Sequence, residues 1–168
     1  ASGAAAGGSP SSAVLGAGGA ARAIGVEVGL AGAENITVVN RSPDRGEELV
    51  KLLNDRVNVA TQFVPWEGDY EVDVATDIVI NATSIGLGDA HARVPLEYGT
   101  LTADMVAADV VFNPPRTIFL QEAERHGCRT LDGLGMLVNQ GVIGFRIWTD
   151  ADPDTAIMRE ALEEYLEV

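Results

Sequence analysis

The chain has 168 residues, enough for one well-buried domain and too few for two of ordinary size. A net charge of −14 disfavours nucleic acid as a partner, since binding it requires a basic face that neutralises phosphates. No window holds the roughly 18 apolar residues that cross a bilayer. Cys128 is the only cysteine, and His91 and His126 lack Cys or His partners at ligand spacing, so neither a disulfide scaffold nor a metal site is expected. A lone thiol fits a reducing, cytoplasmic compartment.

Residues 1–12 (ASGAAAGGSPSS) are low in complexity, with no apolar run or basic flank of a signal peptide, and read as a linker or flexible lead-in. The absence of an initiator Met makes a fragment of a longer protein the expectation. From residue 13 onward the pattern predicts one domain. Ala13-Val14-Leu15 is a short strand that runs into Gly16-Ala17-Gly18-Gly19-Ala20-Ala21, and residues 20–30 carry apolar side chains at helical spacing. Gly32 is placed to close that helix with a positive φ. Residues 36–39 form the second strand, ending in Asn40-Arg41-Ser42-Pro43. Ser42 can cap the next helix, and Pro43 suits its first position.

Residues 57–64 predict a third strand and residues 65–76 a loop or short helix. A buried fourth strand over 77–80 leads into Asn81-Ala82-Thr83-Ser84-Ile85-Gly86, while residues 85–98 read as loop. A fifth strand over 106–112 is followed by a helix over 116–126, ended by Gly127. Residues 129–131 form a short sixth strand before Asp132-Gly133-Leu134-Gly135. An apolar helix over 136–148 and an acidic amphipathic one over 153–166 complete the chain. Strands alternating with helices through short connections predict an α/β fold: a doubly wound parallel sheet of about six strands in three layers, with ligands at the carboxyl ends of the strands.

Three segments on that rim carry chemistry. Gly16, Gly18 and Gly19 remove the side chains that would keep a pyrophosphate from backbone N–H groups at a helix start, and Ala20 and Ala21 allow close helix packing. The spacing departs from the commonest dinucleotide fingerprint, and a turn of this kind also serves as a tight corner without ligand. After the second strand, an acid would accept from the ribose hydroxyls of NAD and repel a 2′-phosphate. Here stand Asn40, Arg41 and Ser42, with Arg45 one helical turn on. Two guanidinium groups there favour NADP, with Arg41 also able to stack on adenine. Asn81, Ala82, Thr83 and Ser84 offer small polar contacts along a cofactor, or form an ordinary Asx turn.

These segments together with Asp132-Gly133-Leu134-Gly135-Met136-Leu137-Val138-Asn139-Gln140 resemble the C-terminal, NADP-binding Rossmann domain of shikimate dehydrogenases, including quinate/shikimate dehydrogenases. The likeness runs from about Ser12 to the end. It implies a pyrophosphate loop at Gly16 to Ala20, a 2′-phosphate and adenine site at Asn40, Arg41, Ser42 and Arg45, and Asn81 to Ser84 along the cofactor. Gly133 and Met136 would then lie beside the nicotinamide, with Gln140 reaching the substrate from the start of the penultimate helix. Phe112 departs from the family, which usually has a tyrosine there.

The family's activity implies reversible hydride transfer between NADPH and 3-dehydroshikimate, giving shikimate. Its catalytic lysine and aspartate come from an N-terminal lobe. Lys51 is the single lysine here, on the adenine side, so this chain is expected to bind cofactor and turn over negligibly, with no catalytic residue of its own. Quinate as substrate, or a stand-alone NADP-binding sensor, are the alternatives. A methylenetetrahydrofolate dehydrogenase or glutamyl-tRNA reductase is disfavoured by the segment from Gly133 to Gln140. Ile157, Leu162 and Leu166 on the last helix are expected to be exposed without the lobe and to promote self-association.

Overall fold

A computed structural model describes residues 9–166, with six parallel strands in the order β3-β2-β1-β4-β5-β6. In chain order these are β1 (Ser11–Leu15), α1 (Gly19–Leu30), β2 (Asn35–Asn40), α2 (Pro43–Arg56), β3 (Ala60–Pro65), β4 (Ile78–Asn81), β5 (Val106–Asp109), α3 (Ile118–Arg125), β6 (Arg129–Leu131), α4 (Gly133–Thr149) and α5 (Thr155–Leu166). The doubly wound α/β prediction holds, and most boundaries fall within a few residues of those expected.

Four local readings are corrected. Residues 1–8 of the expected linker lie outside the described residues, but β1 already begins at Ser11, whose N–H donates to Asp77 Oδ2 at 2.8 Å. Ser12 pairs with Ile36 and Ile78 and is buried, because a ladder position needs only backbone groups and a small side chain. Ser42 occupies the N-cap of α2, yet its hydroxyl makes no capping bond. Its carbonyl instead accepts from Asn40 Nδ2 at 2.8 Å, which fixes the turn from outside the helix. The fifth strand stops at Asp109, three residues early, where that carboxylate begins to bond its own turn. Gly133 and not Met136 starts α4, since Asp132 caps it by accepting from Leu134 N–H.

Side chains alternate across the sheet and divide the core in two. Val14, Val38 and Ile80 meet Ala21 of α1 and Leu49 and Leu53 of α2 on one face. Ala13, Leu15, Val39, Val79 and Ala107 meet Phe119 and Leu120 of α3 on the other. No helix follows β3, so this second face is completed by loop residues Trp66, Val72, Val94, Leu96 and Tyr98. Gly32 and Gly127 do close α1 and α3 with φ of 106° and 86°.

The loop over 85–98 is therefore core-forming. Tyr70 and Leu96 form an isolated bridge, and Arg93 holds both oxygens of Asp69 at 2.8 and 2.9 Å while its guanidinium stands 5.0 Å from the Tyr98 ring. Burial pushes the Tyr98 phenol up to about 12, against the opposing influence of Arg93. The folded value lies above the unfolded one, so this contribution to stability is complete below about pH 10 and is lost as pH rises through 12. Alkaline absorbance titration should show a late tyrosinate step near pH 12 that Tyr98→Phe removes. A step of equal size in both proteins would contradict the burial.

Candidate cofactor site

The strand order reverses beside β1: α1 leaves β1 toward β2, whereas β4 lies on the other side. In such sheets a crevice opens at the carboxyl ends of the strands. Gly16, Asn40, Asn81 and the segment after Asp109 all reach this rim. The amino terminus of α1 points into it. Gly18 caps that helix without a side-chain bond, and its first turn carries no acid. By contrast α3 is capped by Thr117, α4 by Asp132 and α5 by Asp154. The leading N–H groups of α1 are thus left for an external acceptor.

The glycines of the turn have two different causes. Gly16 adopts φ 108°, and a Cβ there would stand 3.0 Å from Ala82 O. It is required by contact between β1 and β4. A Cβ on Gly18 or Gly19 would meet nothing within 4 Å. Their bareness is not explained by packing, and it leaves backbone N–H groups accessible. Ala17 is buried, while Ala20 borders the groove. That groove, of about 280 Å³, lies between Gly18, Gly19 and Ala20 on one side, Ala82, Thr83, Ser84 and Leu87 on another, and Val110, Val111 and Phe112 on the third.

At the tip of β2, Arg41 and Arg45 are exposed and belong to no ion pair among the described residues. In a chain of net charge −14, two unpaired arginines four positions apart, Arg41 after β2 and Arg45 in the first turn of α2, form a local cationic site. Arg41 also borders a niche of about 150 Å³ formed with Trp66, Gly68, Ile85 and Pro95. Trp66, which donates to Pro95 O at 2.8 Å, was not foreseen, although its place directly after β3 puts it on this rim.

Asn81 is corrected from its expected role. Its side chain is fully buried and does not face the groove. Its amide N–H groups donate to Asp109 Oδ1 (2.9 Å) and Ile85 O (3.2 Å), and its Oδ1 accepts from the Thr83 hydroxyl at 2.7 Å. Asp109, likewise buried, also accepts from Val111 N–H at 2.9 Å and the Thr117 hydroxyl at 2.7 Å. Burial pushes the Asp109 carboxyl above its ordinary range, and these three donors act in the opposite direction. An acid ending an apolar strand was the available signal in the sequence, since a buried carboxylate demands partners.

Gly133 is buried, and a Cβ there would lie 2.5 Å from Val111 O. Its role is to bring the start of α4 against the groove wall. Met136 and Gln140 are exposed one and two turns further on, Gln140 being in mid-helix rather than near its start. A larger hollow, about 760 Å³, is at the opposite rim, where Asp73, Asp77 and Asp104 line it without any Arg or Lys. Charge outweighs size here: that hollow repels phosphate, and the smaller groove offers N–H donors. Among the described residues there is no cluster suited to a metal ion and no helix long and apolar enough to cross a membrane.

A family model for the shikimate 5′-dehydrogenase C-terminal domain matches residues 133–163. The shikimate dehydrogenase (NADP+) of Methanopyrus kandleri is 38% identical over 159 residues, which is 92% of this chain and 54% of that protein. Sequence and fold are similar to the C-terminal part of shikimate dehydrogenases. The chain spans about half the length of the curated relatives it matches. A ligand-free 5-ketofructose reductase from Gluconobacter superimposes with a TM-score of 0.88 at 52% identity, over 94% of this chain and 57% of that one. Shikimate dehydrogenase from Thermus thermophilus, in complex with NADP(H) and shikimate, does so with a TM-score of 0.76 at 36% identity, over 91% and 54%.

The two kinds of glycine are separable by mutation. Gly133→Ala forces a methyl group against a backbone carbonyl and should cost about 1–3 kcal/mol in urea unfolding. Gly19→Ala should cost no more than about 0.5 kcal/mol, because the added methyl points into open space and alanine suits a helical position. Equal losses would refute the distinction.

Proposed function

We propose that this chain is the NADP-binding half of an oxidoreductase that interconverts 3-dehydroshikimate and shikimate. The observation that carries the reading is the pairing of an uncapped, side-chain-free helix start with two unpaired arginines at the next strand tip. NADPH would supply the hydride. Everything else asked of this chain is binding and orientation. The N–H groups of Gly18, Gly19 and Ala20 receive the pyrophosphate, on a turn shaped by Gly16 and Ala17. Arg41 and Arg45 receive the 2′-phosphate, helped by the Ser42 hydroxyl, which is not spent on capping, while Asn40 Oδ1 is left to accept from a hydroxyl or amino group of the adenosine. Ala82, Thr83 and Ser84 border the path to the nicotinamide, with Gly133 holding α4 in place and Met136 on its groove side. Gln140 serves the substrate's hydroxyls.

Residues 13–168, extended to Ser11, form the unit, and the half that the relatives have in addition supplies the general acid and base. Without a lysine–carboxylate pair on this rim, the chain alone binds cofactor and turns over negligibly. A biosynthetic reductase of this kind acts in the cytoplasm.

A second substrate reading rests on the 52% identity to a 5-ketofructose reductase, higher than the 38% shared with the Methanopyrus enzyme, and on Phe112 where shikimate dehydrogenases usually have tyrosine. In that reading the reduced group is the ketone of an open polyol sugar. An assay of the full-length gene product separates the two: oxidation of shikimate by NADP+ is expected, with quinate assayed beside it as the alternative substrate. Reduction of 5-ketofructose alone would replace the shikimate assignment.

For the chain itself, fluorescence titration should give tighter binding of NADPH than of NADH. Arg41→Ala should weaken NADPH by about 10- to 100-fold, the worth of a charge-assisted contact, and weaken NADH far less. Equal affinities in the wild type would overturn the site. The exposed apolar residues Ile147, Trp148, Ile157 and Tyr165 make self-association the expected behaviour of the isolated chain, although Leu162 and Leu166 are half-covered. Light scattering at high concentration should report a mass above the monomer.

A further inference from the structure

The buried carboxylate of Asp109 joins three pieces of chain, adding to the β4–β5 ladder and to the backbone bonds from Val110 N–H to Asn81 O (3.1 Å) and from Gly88 N–H to Asn113 O (2.8 Å). Asp109 sits directly opposite Asn81 in the β4–β5 register. Through Asn81 it reaches the tip of β4, where the same amide also holds Ile85 O and the Thr83 hydroxyl. Its own two oxygens then fix Val111 N–H and Thr117, the residue that caps α3. The two loops so tied are the walls of the 280 Å³ groove: Thr83 and Ser84 on one side, Val110 to Phe112 on the other. The second wall is further confined from behind by Gly133, which tolerates no Cβ.

We propose that Asp109 is a positioning residue for the nicotinamide half of the cofactor: by fixing the separation of these walls it sets the width of the groove into which that half extends. The inference rests on the cofactor reading above. Its reach is limited to one side of the pyrophosphate. The adenine half lies toward Arg41 at the tip of β2, and the Asp109 network makes no contact there. A general destabilisation would impair both halves, whereas loss of the wall tie impairs one.

That difference gives the test. Thr117→Val removes one donor from Asp109, and with it the hydroxyl that accepts from Leu120 N–H at the start of α3, with little change of shape, and Thr117→Ser retains both. Each variant is titrated with NADPH and with adenosine 2′,5′-bisphosphate, which lacks the nicotinamide half, after a melting curve confirms folding. Thr117→Val is expected to weaken NADPH by about tenfold, the size of one net hydrogen bond, while the bisphosphate binds as it does to the wild type. Thr117→Ser is expected to restore NADPH binding.

Asp109→Asn, which keeps the shape but replaces an acceptor with a donor, is read in the same way should the valine variant not fold. Equal weakening of both ligands, or of neither, in a wild type that binds both, overturns the positioning role alone. A wild type that binds neither ligand overturns the cofactor reading and this proposal with it.

Discussion

Reversal of strand order beside β1 is the constraint from which the functional rim follows. Two neighbouring parallel strands, β1 and β4, send their following segments to different places, and nothing in the fold fills the space between them. The leading N–H groups of α1 at that place have no side-chain cap, whereas Gly16 N–H and Ala82 N–H are already bonded to Val39 O and Leu15 O. The chain answers with glycines of two kinds. Gly16 and Gly133 are demanded by atoms already present, Ala82 O and Val111 O. Gly18 and Gly19 face open space. Packing alone would have tolerated alanine at both, so their bareness is the part of the turn that speaks of a ligand.

Electrostatics distinguishes this rim from the rest of an acidic molecule. The larger hollow at the amino-terminal rim is bordered by three aspartates, and a dinucleotide entering it would meet charge of its own sign. At the carboxyl rim, among the described residues, Arg41 is the one charged side chain lining the groove or its niche. Exposed ion pairs elsewhere, such as Arg22–Glu48 at 2.6 Å and Arg93–Asp69, contribute little to stability individually, but they do occupy arginines that would otherwise spread positive charge over the surface. Among the described residues Lys51, Arg56 and Arg129 are likewise in no ion pair, so Arg41 and Arg45 are set apart by their place on the carboxyl rim.

Much of this was legible in the residues. Strand tips, helix stops at Gly32 and Gly127, and the glycine turn follow from local rules, since backbone φ and side-chain periodicity are properties of a few neighbouring residues. What escaped depends on contacts distant in sequence. Asn81 reads as a polar residue at a strand end and hence as a ligand contact, but its partner is 28 positions away in Asp109. The stretch over 85–98 has no helical or strand period because it fills the space of an absent helix over β3–β4 with Val94, Leu96 and Tyr98. Ser42 has the identity of a capping residue, and only the turn closed by Asn40 explains why its hydroxyl is not used for capping. Trp66 gave a weak signal for a similar reason, its niche being assembled from four other segments.

The account stands or falls on where a dinucleotide rests on the sheet. The most direct measurement is a crystal structure of this chain grown with NADP+. It should show the pyrophosphate against the N–H groups of Gly18 and Gly19, the 2′-phosphate between Arg41 and Arg45, and the nicotinamide between Thr83 and Val111. A nucleotide lodged at the acidic amino-terminal rim, or one bound at the carboxyl rim with its 2′-phosphate turned away from both arginines, would contradict it.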